Sequence, residues 1–293
     1  MPSNHTPPVL PTLSLLFGAT LWGVFWFPLR WLEAQGVPGL WSSLFIYLTV
    51  TVVSLPWLWQ RRGELVKSPR MLLALALIAG WCNVAFILAV IEGNVVRVLL
   101  LFYLSPLWAA LLGRLLLGER LSSHAWLTLA VAMTGALTML WNAAAGWPWP
   151  QTQADWLAIS AGFTFALSNV IVRKAQNISY GVKSIAVWWG GALMAGVGLL
   201  AMPLTMPEIS LPVLGVIVAL ACGGMMVMTL AVQYGVTQMP VHRSAVILLF
   251  EIVAGAVSAQ LLTDEIVLPS EWLGGALILA AAYFSARAAR DTD

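Results

Sequence analysis

Glu251 is the residue whose position in this chain most needs a chemical reason. It is the only acid in the apolar run 243–262 and falls near its middle. A carboxylate at the centre of a hydrocarbon layer costs about 2.5–3.5 kcal/mol on insertion scales, so it belongs against protein or a wet cavity. At helical spacing Ser244, Leu248, Glu251, Gly255 and Ser258 share one side, and small polar residues there suit close helix contact. Two chemistries fit this position. Glu251 can take up and release a proton, or it can attract an ammonium group. The plain alternative is a protonated side chain that only packs.

Other polar residues in apolar runs are few. Asn83 lies near the centre of run 71–91, and Asn169 near the inner end of run 154–172. Each can bind an amino or carboxyl group, or simply bridge two helices. Arg97, one turn into run 95–113, can hold a carboxylate at the outer end or snorkel to the surface beside Glu92. Phe86, Tyr103, Phe163 and Trp189 fall deep in their runs, as do Trp22, Trp81 and Trp188, and offer flat apolar faces to a cavity. We take Asn83, Phe86, Tyr103, Phe163, Asn169, Trp189 and Glu251 as the candidate binding set. Trp59, Trp149 and Trp156 stand at run ends, where indole rings settle at a membrane–water interface.

Glycines mark two further roles. Gly80 and Gly223 occupy mid-run positions, where a glycine weakens a helix and permits a bend, so we take them as a hinge pair. Gly190–Gly191 and Gly274–Gly275 read as notches for close helix packing. Cys82 and Cys222, both mid-run, read as inert buried thiols. The Met225, Met226 and Met228 run can adapt to varied neighbours or serve as core.

Catalytic signatures are missing. There is no G-x-x-x-x-G-K-[ST] phosphate loop, and His5, His124 and His242 are scattered without metal-ligand spacing. We therefore expect no catalytic residue, no cofactor and no bound metal. An intramembrane enzyme acting on lipid-linked substrate would need paired acids or histidines in its loops. Here the loops carry Arg, Lys and isolated acids such as Glu64 and Glu119, with one small pair at Asp264–Glu265.

The elements that must position these residues follow from composition. Sixty per cent of the 293 residues are apolar and nine per cent charged, with a mean hydropathy of +0.89. Ten apolar runs are long enough to cross about 30 Å of hydrocarbon as helices: 10–28, 39–59, 71–91, 95–113, 123–141, 154–172, 183–203, 211–234, 243–262 and 271–288. The expected fold is all-α and polytopic. Basic residues cluster in alternate loops: Arg61, Arg62, Lys67 and Arg70; Arg114 and Arg120; Arg173, Lys174 and Lys183; Arg243; Arg287 and Arg290. Only Arg30 and Arg97 fall on the other face, so both termini are expected in the cytoplasm. The net charge of +2 follows from this bias and gives no reason to expect a nucleic-acid partner.

The two halves also echo each other. Leu115, Leu116, Glu119, Trp126, Leu127 and Ala130 recur 146 positions later as Leu261, Leu262, Glu265, Trp272, Leu273 and Ala276. Ala76, Leu77, Gly80 and Val84 recur at an offset of 143 as Ala219, Leu220, Gly223 and Val227. Five runs per half is an odd number, so the copies, 1–146 and 147–293, enter the membrane from opposite faces. Such inverted repeats build a central site reachable from either side, as secondary transporters use.

The tract LFYLSPLWAALLGRLLLGERLS at 101–122 resembles the drug/metabolite transporter superfamily in its ten-helix EamA-type branch. The second copy, starting LFEIVAG at Leu249, is similar, with Ile252 where that branch usually carries proline. Within the branch, the chain, with its sixteen tryptophans, is most similar to the bacterial aromatic amino acid exporters (YddG-type). The resemblance implies an inner-membrane exporter of amino acids, working by alternating access as a monomer, with the lipid bilayer as its other partner. A broader metabolite or drug exporter is the alternative within the superfamily. The topology is directly testable. Reporter fusions at Gly63 should register on the cytoplasmic side and fusions at Pro207 on the other; an external signal at Gly63 would overturn both the span count and the inversion.

Overall fold

A chain this apolar, placed where water cannot bond its backbone, satisfies each N–H and C=O inside its own helices. The computed structural model describes residues 9–93, 95–141, 149–202, 204–263 and 267–287, and among these the secondary structure is helical throughout. In chain order the helices are α1 (Val9–Val24), α2 (Trp26–Ala34), α3 (Gly39–Gln60), α4 (Arg62–Lys67) and α5 (Pro69–Glu92). Next come α6 (Val95–Phe102), α7 (Ser105–Leu112), α8 (Ser123–Leu140), α9 (Gln153–Lys174) and α10 (Tyr180–Ala201). The last five are α11 (Leu211–Ala219), α12 (Met226–Gln238), α13 (Val241–Leu248), α14 (Phe250–Leu262) and α15 (Pro269–Arg287).

Among the described residues, nine helical stretches are long and apolar enough to cross a membrane. They match the first nine expected runs. The tenth run forms α15, whose 19 residues have the length, while Pro269, Ser270 and Glu271 in its first turn make it less apolar. The Asp264–Glu265 pair lies outside the described residues.

Four stretches depart from straight α-helix. The first is interrupted at Phe25, three residues before Pro28, which has no N–H for the carbonyl four residues earlier. The fourth breaks at Tyr103–Leu104 between α6 and α7, and Pro106 removes the donor that Phe102 would have used. It then runs past the expected end through a π-helical turn, Gly113–Leu117. In the eighth, a π-helical segment, Leu220–Met225, joins α11 to α12. The ninth breaks at Leu249 although no proline is present. There the bonds tighten to a three-residue reach, Leu249 N–H to Val246 O at 3.3 Å and Ile252 N–H to Leu249 O at 3.0 Å.

The most extensive packing always joins a helix before residue 142 to one after residue 152. Helix α5 lies against α9 and α10, α3 against α10, α1 against α12 and α14, α6 and α7 against α9, and α8 against α15. Glycines set the closest crossings. A Cβ on Gly190 would stand 1.8 Å from the Ala76 carbonyl oxygen, and one on Gly80 would stand 2.3 Å from the Gly190 oxygen. Gly135 and Gly274 do the same for α8 and α15, at 2.7 and 2.5 Å from each other's oxygens. A Cβ on Gly191 would stand 2.8 Å from the Tyr47 ring. Without a hydrophobic drive between helices in lipid, such backbone proximity is a main source of helix adhesion. Gly190→Ala should therefore push α5 and α10 apart, at a cost of about 1–3 kcal/mol or more. A lowered thermal midpoint in detergent is expected, while Gly196→Ala, with nothing within 4 Å of the new Cβ, should match the parent.

Candidate functional site

Glu251 sits in the first turn of α14, just past the break at Leu249. The backbone of α1 approaches it closely, since a Cβ on Gly23 would lie 2.6 Å from the Glu251 carbonyl oxygen. The Glu251 side chain interacts with Tyr103, the residue at the break between α6 and α7. Two interrupted helices thus bring their irregular points together. Cys82 of α5 stands in electrostatic range of Glu251 and beside Thr164 of α9. The next residue, Asn83, donates from Nδ2 to the Tyr47 hydroxyl of α3 at 3.1 Å. Asn83 Oδ1 is buried with no hydrogen-bond partner. Glu251 is deep among these helices and still partly accessible.

Aromatic rings close one side of this cluster. Phe86 meets Phe102 edge-on at 4.9 Å between centroids. Phe102 in turn meets Tyr103 at 5.2 Å and Phe165 at 5.6 Å. The first two pairs are edge-to-face, an arrangement that adds about 0.5–1.5 kcal/mol beyond buried area, and the third is tilted.

Of the residues expected to bind, the structure gathers Asn83, Phe86, Tyr103 and Glu251. Phe163 instead packs edge-on against Trp108, at 5.6 Å, in a separate apolar cluster of α7, α9 and α13. Asn169 is buried elsewhere on α9, its Nδ2 without a partner. Trp189 corrects the expectation: it is 57% exposed and lines up with Leu193, Val197 and Leu200 on the outward stripe of α10. Its neighbour Trp188 is the buried one, in a core cluster with Phe25, Tyr47 and Met225. The glycines assigned to a hinge differ from one another. Gly80 lies in an unbroken α5, against Gly190, whereas Gly223 lies in the π-helical segment with open space around its Cβ position.

Tyr47, Cys82, Phe102, Thr164 and Phe165 were not singled out as site residues. Arg97, read as holding a carboxylate at the outer end or snorkelling beside Glu92, bonds Asp155 Oδ1 through its Nε at 2.8 Å. A guanidinium nitrogen also donates to the Trp149 carbonyl. Asp155 is held in turn by the Gln151 and Thr152 N–H groups at 2.8 and 3.0 Å, so Arg97 is tied down at this end.

The opposite end carries a second polar junction. Glu119, read from sequence as an isolated loop acid, accepts from the Val241 N–H at the start of α13, at 3.0 Å. It also lies 3.4 Å from His242 and 3.9 Å from Arg173. Arg173 and Gln176 both donate to the Thr237 carbonyl, at 2.6 and 3.1 Å. Lys183, fully buried, donates to the Val172 carbonyl at 2.8 Å and the Thr237 hydroxyl at 3.1 Å. Glu64 of α4 accepts from the Ser179 N–H at 2.7 Å and pairs with Arg61 at 3.1 Å. Burial would raise this carboxyl, but the Ser179 N–H and Arg61 outweigh it and hold its pKa below the ordinary value. These bonds join the loops rich in Arg and Lys at one face of the bundle.

Comparison with known proteins finds similarity over part of the chain. Residues 10–141 match the profile of the EamA-like transporter family. An uncharacterized transporter of Pseudomonas aeruginosa is 27% identical over 181 residues, 57% of this chain and 56% of that relative. Protein RarD of Salmonella typhimurium is 29% identical over 153 residues, 51% and 48% of the two chains. Protein RarD of Streptomyces exfoliatus is 30% identical over 180 residues, 58% and 53%. The chain spans about half the length of the curated relatives it matches. A crystal structure of 18% identity superposes with a TM-score of 0.74, covering 96% of this chain and 98% of the other. It shares the fold.

Proposed function

We propose that this chain is an EamA-like secondary transporter of the drug/metabolite superfamily, working in the inner membrane as a monomer. It exports amino acids with bulky apolar or aromatic side chains by alternating access. The observation that carries this reading is the pairing of Glu251 with Tyr103 where two interrupted helices meet. Half-helix N-termini and a nearby carboxylate suit the two charges of an amino acid. Glu251 and the free Asn83 Oδ1 accept from the ammonium, the N-termini of α7 and α14 face the carboxylate, and the rings of Phe86, Phe102 and Phe165 take the side chain. A broader metabolite or drug exporter is favoured by the apolar majority of this lining, which recognises shape more than any one functional group. The relatives' names specify no cargo.

The architecture we propose is ten spans in two inverted repeats, 1–146 and 147–293, with both termini cytoplasmic. Three features support it. The sequence echoes recur at 146 positions, the break at Leu249 falls 146 residues after Tyr103, and the packing pairs exchange when the halves are swapped. Thus α5 against α9 has its counterpart in α12 against α1, and α7 against α9 in α14 against α1. The bonds among Glu119, Arg173, Thr237 and Lys183 hold the basic end closed in this reading.

The hinge assignment separates by residue. Gly80→Ala collides with the Gly190 backbone and should lower stability. Gly223→Ala has room, so it should fold like the parent yet slow turnover if the π-helical segment flexes. Parent-like turnover of Gly223→Ala would leave the segment as fixed structure.

The cargo and coupling are tested in liposomes with a panel of labelled amino acids, with and without a pH gradient. Aromatic and bulky apolar amino acids should exchange, and polar ones should not. Glu251→Gln keeps size and removes titration. If Glu251 carries the coupling proton, the variant should lose pH-driven net flux and retain exchange. A loss of both, with weakened binding, assigns Glu251 to the ammonium. Unchanged behaviour in both assays would remove Glu251 from the mechanism.

A further inference from the structure

A cavity of about 190 Å³ opens at the basic end of the bundle, where α8, α13 and α15 meet. Its wall carries Arg120, His124, His242 and Arg243, together with the hydroxyls of Ser122, Thr128 and Ser285. The two guanidinium groups in this wall favour an anion. The N-terminal ends of α8 and α13 also face this space, since Ser122 caps the first and Pro240 precedes the second. A helix N-terminus favours negative charge. The adjoining acid, Glu119, is already engaged by the Val241 N–H and by His242. The Glu251 centre lies ten residues beyond Val241 on the same span, on the order of 15 Å at 1.5 Å per residue, so this is a different place. Beside the mouth, Trp126, Leu127 and Phe284 are exposed on the outward faces of α8 and α15, and His124 meets the Phe284 ring edge-on at 6.4 Å.

We propose that this cavity binds a phosphoryl group, carried either by an anionic lipid whose chains lie along α8 and α15 or by free phosphate. Guanidinium groups match phosphate oxygens with paired charge-assisted hydrogen bonds. The buried Ser285 hydroxyl completes the shell from the inner side, while the Thr128 hydroxyl already donates to the His124 carbonyl at 2.8 Å.

The test uses the full chain, purified in neutral detergent and in nanodiscs. Inorganic phosphate is titrated in detergent, and phosphatidylglycerol discs are compared with phosphatidylcholine discs, with the thermal midpoint as readout. Both Arg120 and His124 are exposed, and among the described residues the only ring that His124 meets is the exposed Phe284, so Arg120→Gln/His124→Gln should fold. The double variant should weaken the response by about tenfold in apparent affinity, while Arg120→Lys retains most of it. Arg62→Gln, on the same face but outside the cavity, should behave as the parent. A response to phosphate in detergent assigns the free anion. A response confined to phosphatidylglycerol assigns the lipid headgroup. No response to either anion, or an equal response in parent and double variant, overturns the site.

Discussion

Every backbone polar group that crosses hydrocarbon has to be bonded inside protein, because lipid offers no substitute and each orphan costs several kcal/mol. That constraint forces the chain into helices and decides where helices can be irregular. The breaks at Tyr103–Leu104 and Leu249 are tolerated because α1, α5 and α9 cover them. Irregular backbone is therefore confined to the interior, and the interior is also where an ionisable side chain is least costly. Glu251 and Tyr103 share their location for one reason. Both depend on being screened from lipid by neighbouring helices.

The same constraint explains the glycines. Helices in lipid gain nothing from hiding apolar surface, so they adhere by close contact of their backbones. Gly190 against Ala76, Gly135 against Gly274 and Gly23 against Glu251 bring main chain to within contact of main chain. The last of these pins α1 to the turn that carries the carboxylate, so packing geometry fixes where the charge sits. Larger residues fill the space further out, with Trp188, Met225 and Met228 buried and Trp189 turned outward.

Much of this was legible because hydropathy along a chain is a one-dimensional signal. The nine spanning stretches fall where apolar runs were expected, and Glu251 was visible as an acid among apolar neighbours. What was not legible depends on helix rotation and on partners distant in sequence. Trp188 and Trp189 are adjacent letters, and only the packing of α10 decides which one faces inward. Arg97 had a local partner in view, Glu92, but folding offered Asp155, 58 residues away. Tyr47, Cys82 and Thr164 look ordinary in their own runs and become interesting only when α3, α5 and α9 converge. The break at Leu249 carries no proline and so left no mark in composition.

The interlocking of the two halves has a consequence for how the protein is made. No major contact surface of α1, α3, α5 or α8 is satisfied by another helix of the first half; each waits for a helix beyond residue 152. At roughly 5–20 residues per second, the ribosome needs on the order of ten to thirty seconds to deliver those helices. During that interval the early spans stand in the bilayer with glycine notches open and with Tyr103 lacking its partner. Lipid, the insertion machinery or another nascent chain must occupy those faces until their own partners emerge.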